Sequence, residues 1–134
     1  GPSLLAECHE VRRGDLPDGP PPGEAVVTGA GDLPARFVIH TVGPKFWEYP
    51  DGGAHVLARS HASSMAAAHA VGATSITFPA ISCGVYGWDP VNAAPIAIRA
   101  VRESLPQASG VRAVTFVLFN DDALDAFRQA LDGG

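Results

Sequence analysis

Residues 73–105, ATSITFPAISCGVYGWDPVNAAPIAIRAVRESL, decide how this chain is built. Ala73 to Phe78 is an apolar, β-branched run of the kind that forms a buried strand. Asp89 and Pro90 read as an N-cap and a first helical residue, opening a helix through Val91, Ile96, Ile98 and Val101 to Leu105, where Pro106 stops it. The loop between them, residues 79–88, contains Gly84 and Gly87. Strand, glycine-containing loop and helix start in that order predict one unit of an α/β fold.

The same alternation extends on both sides. Ala54 to Val71 is rich in Ala, Leu, Met and His with few breakers, which predicts a helix closed by Gly72. Val111 to Phe119 predicts a strand and Asp121 to Leu131 a final helix. Helix, strand, helix, strand, helix implies parallel strands joined by helical crossovers. Further upstream, the runs Ala25–Thr28 and Phe37–Val42 are separated by Gly29, Gly31 and Pro34, which predicts two short strands joined by a turn. Residues 14–23 contain Pro17, Pro20, Pro21 and Pro22 and must be a surface loop. Leu4, Leu5, Cys8 and Val11 share one face at helical spacing, so Ser3–Val11 reads as a short amphipathic helix.

Composition bounds the function. The chain has 134 residues, 46% hydrophobic and 17% charged, which suits one soluble domain with a real core, residues 1–134. No apolar run approaches the roughly 20 residues needed to span a bilayer, and Gly1-Pro2-Ser3 is not the start of a signal peptide, so a cytoplasmic, membrane-free protein is expected. Cys8 and Cys83 are far apart and read as reduced thiols. The net charge of -5 comes without a Lys/Arg cluster, which argues against duplex nucleic acid as a partner. The sequence does not begin with Met and Met65 is its only methionine, so Gly1-Pro2 reads either as a protease scar or as a point within a longer chain.

The loop at 79–88 has the parts of a phosphate cradle. Gly84 and Gly87 permit left-handed backbone angles, consecutive amides can form an anion-binding nest, and the following helix directs its positive end to the same space. In a parallel sheet ligands bind beyond the carboxyl ends of the strands, where this loop and Phe119-Asn120 both lie. Tyr86 and Phe119 would supply aromatic faces, and Ser82 and Asn120 hydrogen-bonding groups. Taken alone, a Gly-x-x-Gly loop after a strand more often just makes a turn.

Other candidates carry less. His55, His61 and His69 are 6 and 8 residues apart, not the spacing of a zinc-binding helix, so a solvated or partly packed role is favoured and no metal or cofactor is expected. His40 reads as a structural hydrogen-bonding residue. Asp121, Asp122 and Asp125 suit the positive end of the last helix. Trp47 and Tyr49 either cover the edge of the core or form an exposed contact.

The string FPAISCGVYGWDPVNAA resembles the second ligand loop of macrodomains, the Appr-1''-p processing family. It is most similar to the MacroD-type group of ADP-ribosyl and O-acetyl-ADP-ribose hydrolases. GEAVVTGAGDLPARFVIHTVGP, SLLAEC and VTFVLFNDDALDAF resemble the middle strands, the preceding helix, and the last strand and helix of that family, in its order. The resemblance implies a three-layer α/β/α fold with a mixed, largely parallel central sheet. It implies ADP-ribose, or a protein carrying it, as the ligand. Ser82, Cys83, Gly84, Val85, Tyr86 and Gly87 match the loop that wraps the diphosphate and distal ribose, with Tyr86 against that ribose. Phe119 matches the aromatic on the adenosine side, and Asn120 adjoins it. Trp88 stands where Tyr or Phe is frequent.

The family's first strand, a central strand and the glycine-rich loop bearing the Asp linked to hydrolysis have no counterpart before GPSLLAEC. Catalytic residues are therefore left unassigned, and these residues alone are expected not to form a stable macrodomain unless further residues of the protein or another chain complete the sheet. Hydrolysis of ADP-ribose from proteins or deacetylation of O-acetyl-ADP-ribose is the favoured activity. The rivals are a non-catalytic ADP-ribose reader and a ligand-free, macro-like structural domain.

Overall fold

The computed structural model describes residues 20–29, 31 and 35–133; the amphipathic helix expected at 3–11 and most of the proline-rich loop lie outside them. The alternation is present as β1 (Ala25–Gly29), β2 (Phe37–Thr41), α1 (Ala54–Ala70), β3 (Ser75–Phe78), α2 (Pro90–Ser104), β4 (Ala113–Phe116) and α3 (Asp121–Gly133). Asp89 caps α2 as read, its carboxylate accepting from Val91 N at 3.0 Å with Pro90 at the first position. Gly72, at φ +74°, ends α1. The last strand is shorter than expected: after Phe116 the chain leaves the ladder, and residues 117–119 run on to the start of α3. Helix α2 stops at Ser104, and Pro106 lies in a 3-10 turn, Leu105–Gln107.

The described strands form two separate ladders. β1 and β2 pair antiparallel, Val27 opposite Ile39, whereas β3 and β4 pair parallel, Ile76 opposite Val114 and Phe78 opposite Phe116. Among the described residues β2 and β3 do not pair with each other, so the expected single, largely parallel sheet is present as two halves. Helix α1 packs against β1, β2 and β3 and so bridges both halves. Ile39 of β2 joins the same apolar cluster as Met65, Phe78 and Val101. The alternation along β3 and β4 turns Ile76, Phe78, Val114 and Phe116 toward the helices, while Ser75, Thr77, Ala113 and Thr115 are exposed. The described helices thus cover one face of the parallel pair; they pack in order, α1 on α2 and α2 on α3. Two of the three expected layers are present in these residues.

The inner face of α1 is more polar than its position suggests. Ser60 and Ser64 are fully buried, and each hydroxyl donates to a carbonyl one turn back, Leu57 O and Ser60 O, both at 2.7 Å. That local bond satisfies a hydroxyl that could not otherwise be buried without cost. His61 is buried too, more fully than the solvated or partly packed role read from the sequence, with its ring tilted against those of Phe78 and Phe116. Its Nδ1 lies 2.9 Å from Leu57 O, and because a carbonyl only accepts, the proton sits on Nδ1. His55 and His69 are exposed.

Burial holds the His61 pKa below 6.5, with the Leu57 bond acting in the opposite direction. The imidazole is therefore neutral in the fold, while the unfolded chain takes up a proton at the ordinary value. Its contribution is fully present above pH 6.5 and is lost as pH falls below it. In urea denaturation at successive pH values, His61→Phe should show a shallower loss of stability between pH 7 and 5 than the parent. Equal slopes would remove His61 as the cause.

Candidate functional site

The loop after β3 is bent by three residues in the left-handed region: Ser82 at φ +66°, Gly84 at +83° and Gly87 at +88°. Short bonds close it on itself, Cys83 N to Ala80 O at 3.2 Å, Gly87 N to Gly84 O at 2.9 Å and Trp88 N to Ser82 O at 3.1 Å. The amides of Gly84, Val85 and Tyr86 have no acceptor among the described residues. Three consecutive free N–H groups on a glycine-bent loop, next to the N-terminus of α2, form a site for an anion. A Cβ on Gly84 would meet nothing within 4 Å, so there only the backbone angle and the approach of a ligand favour glycine.

A second loop clamps this one from behind. Residues 42–53 connect β2 to α1 and contain a 3-10 turn, Phe46–Glu48. Gly43 lies directly on the ligand loop: a Cβ there would overlap Ser82 Oγ and lie 2.5 Å from Ile81 Cγ2. Phe46 N donates to Tyr86 O at 2.8 Å, and Trp88 Nε1 donates to Gly52 O at 2.8 Å. The Trp88 ring is buried and meets Phe46 edge-to-face at 5.4 Å. Trp47 is 65% exposed, its ring 3.5 Å from the position a Gly87 Cβ would take. Trp47 is thus an exposed contact beside the ligand loop, while Tyr49 is half-buried against Gly53.

Beside the Ser82–Gly87 loop lies a cavity of about 280 Å³ lined by Gly84, Asp89, Pro90, Val91, Phe119, Asn120 and Asp122. It joins the carboxyl ends of β3 and β4, with Phe119 67% exposed as a ring available for stacking.

A family model described as Macro domain matches residues 1–97. The chain belongs to the macrodomain family. A macro domain-containing protein of Streptomyces coelicolor is 44% identical over 131 residues, 98% of this chain and 75% of that protein. An O-acetyl-ADP-ribose deacetylase of Klebsiella pneumoniae is 43% identical over 133 residues, 98% of this chain and 74% of the relative. Among solved structures, the Oceanobacillus iheyensis macrodomain with ADP superposes with a TM-score of 0.85 at 34% identity, covering 99% of this chain and 70% of that one. The Trypanosoma brucei macrodomain in complex with ADP-ribose gives 0.80 at 30% identity, with coverages of 98% and 52%. The fold is that of the macrodomains.

Within this macrodomain the residues singled out from sequence take different positions. Gly84, Phe119 and Asn120 line the cavity; Val85, 89% exposed, and the Tyr86 amide form the loop's outer turn. Ser82 is buried with its hydroxyl against Gly43, away from the cavity lining. Asn120 uses its carboxamide oxygen to cap α3, accepting from Ala123 N at 2.8 Å, so its amide nitrogen is the group left for a ligand. The acidic residues after it sit in the first turn. The Cys83 thiol is pushed up to about 11 by burial and, secondarily, by the Asp89 carboxylate, so it stays protonated at neutral pH and is a poor nucleophile. His40 Nε2 lies 2.9 Å from Thr28 Oγ1 across the antiparallel ladder, the structural role read from its position.

Asp89, Val91 and Asp122 were not among the expected site residues, although the Asp89-Pro90 helix start directly after the loop was the available signal. A larger cavity, about 450 Å³, lies elsewhere, between β4, α2 and α3; it is apolar, with Ile98, Phe116 and Phe127 in its lining and Arg102, Arg112 and Arg128 around it. These arginines come from three different segments, so no cluster is visible in the sequence. Among the described residues no helix is long and apolar enough to cross a membrane.

Proposed function

We propose that this macrodomain binds ADP-ribose with its diphosphate on the amides of Gly84, Val85 and Tyr86, its distal ribose toward Tyr86 and its adenosine toward Phe119. The free amides on a left-handed glycine loop carry this reading, and the names of the deacetylase relative and of the ADP-ribose-bound neighbour support it. Backbone N–H groups suit a chain whose net charge is -5, because they bind phosphate without a cluster of cations. In this account Ser82, Cys83 and Gly87 shape the loop, and Asn120 offers its amide nitrogen to the nucleoside.

The reaction we favour is hydrolysis of ADP-ribose from a modified protein, or of the acetyl ester of O-acetyl-ADP-ribose, in the cytoplasm. A water held by the ligand's phosphate and by a carboxylate outside these residues would attack.

We further propose that a strand from additional residues of the protein, or from another chain, lies between β2 and β3. The edges of β2 and β3, which have no strand partner on that side among the described residues and both pack on α1, support this, as does a relative of which this chain covers 75%. Calorimetric titration of ADP-ribose into the 134 residues and into a version extended by its natural upstream residues tests both points. The extended version should bind and the shorter one should not. If neither binds, ADP-ribose recognition is wrong. Release of acetate from O-acetyl-ADP-ribose by the extended version then separates hydrolase from reader.

A further inference from the structure

We infer that Lys45 is a specificity-determining residue of this site, supplying a mobile positive charge that draws an anionic ligand onto the Gly84–Tyr86 amides. The inference rests on the ADP-ribose reading above. Lys45 is the only lysine in the chain. It follows the buried Gly43-Pro44 turn, and its ammonium lies 5.6 Å from the centroid of the Tyr86 ring. Its neighbour Phe46 is hydrogen-bonded to the Tyr86 carbonyl, so the backbone that carries the lysine is fixed to the loop that carries the free amides. The side chain is 45% exposed and its ion pair with Glu48 is loose, at 3.8 Å. A contact of that kind is weak and easily exchanged for a stronger anion.

The other described cations are placed elsewhere. Arg36 and Arg112 precede β2 and β4, at the amino ends of strands whose carboxyl ends carry the site. Arg99 and Arg102 lie in the half of α2 remote from the loop, and Arg128 lies on α3. Arg59 rests its methylenes on Gly23, beside the start of β1.

Asp89 and Asp122 are among the residues lining the cavity beside the Ser82–Gly87 loop. Lys45 is the opposite charge to these carboxylates and stands over the Tyr86 ring, outside the cavity lining. A charged diphosphate is repelled by the carboxylates and attracted by the ammonium, so Lys45 contributes to orientation as well as affinity.

Titration of ADP-ribose into the extended protein at low and high salt tests this. Lys45→Met should weaken binding about fivefold at low salt, the order expected of one charge acting through hydrated surroundings. The deficit should shrink to below about twofold in 1 M salt, where the screening length is about 3 Å. Lys45→Arg should retain the parent affinity within about twofold, and Arg99→Ala, which removes a positive charge on α2, should change nothing. All variants should melt with the parent. The inference is overturned if Lys45→Met binds like the parent at low salt, if its deficit is the same in high salt, or if Lys45→Arg is equally weak. Should the parent itself fail to bind, the proposed function fails first, and the inference falls with it.

Discussion

Gly43→Ala should reduce ADP-ribose binding by the extended protein roughly a hundredfold, the equivalent of about 2–3 kcal/mol, the usual range for overpacking a filled site. The added methyl has no free space, because Ser82 Oγ and Ile81 Cγ2 already occupy it. Neither neighbour is the far end of a flexible side chain: Ser82 is held at φ +66° and its carbonyl accepts from Trp88 N. The relief available is a shift of the loop itself, which moves the amides that follow two residues later. Gly29→Ala is the matched control, since a Cβ there meets nothing within 4 Å. It should leave both melting temperature and affinity close to the parent values. Equal behaviour of the two variants would show that the loop can move without loss.

Trp88→Ala should carry the largest stability loss of any single change considered, about 3–5 kcal/mol in urea denaturation of the extended protein. Trp88 is 6% exposed, packs with Leu57 and Ala93, meets Phe46 edge-to-face and donates to the Gly52 carbonyl. Truncation opens a cavity at the junction of α1, α2 and both loops. Trp88→Phe keeps most of the ring contact and removes only the Nε1 bond, so about 1 kcal/mol is expected. A loss in Trp88→Phe as large as in Trp88→Ala would show that the hydrogen bond, rather than the packing, holds the loops together.

Much of this architecture is written locally. The Asp89-Pro90 cap, the Gly72 stop and the β-branched runs of β1 to β3 act within a few residues of themselves and could be read from the sequence. The left-handed angles at Gly84 and Gly87 were legible for the same reason, because few other residues adopt them at low cost. What could not be read depends on distant partners. His61 was read as solvated or partly packed from its spacing to His55 and His69, and nothing in the pattern reveals that Ser60 and Ser64 beside it satisfy their hydroxyls within their own helix and so can share its burial. The cap of α3 fell to Asn120 rather than to the aspartates, a choice among adjacent capable residues that the chain's path settles. Lys45 gave no sequence signal, since its meaning comes from Tyr86, 41 positions later, whose ring lies beneath its ammonium.

The parallel pairing of β3 with β4 has a kinetic consequence. The antiparallel pair closes across a short connection, Gly29 opposite Phe37, whereas Ser75 finds Ala113 only after the whole of α2 has been laid down between them. The Ser82–Gly87 loop lies inside that long crossover. Contacts distant in sequence form slowly because the chain between them must be ordered first. The amides at Gly84, Val85 and Tyr86 therefore reach their final positions late in folding, after the β1–β2 hairpin. A substitution that slows the closing of β3 on β4 would delay the appearance of the ligand site without altering any atom in it.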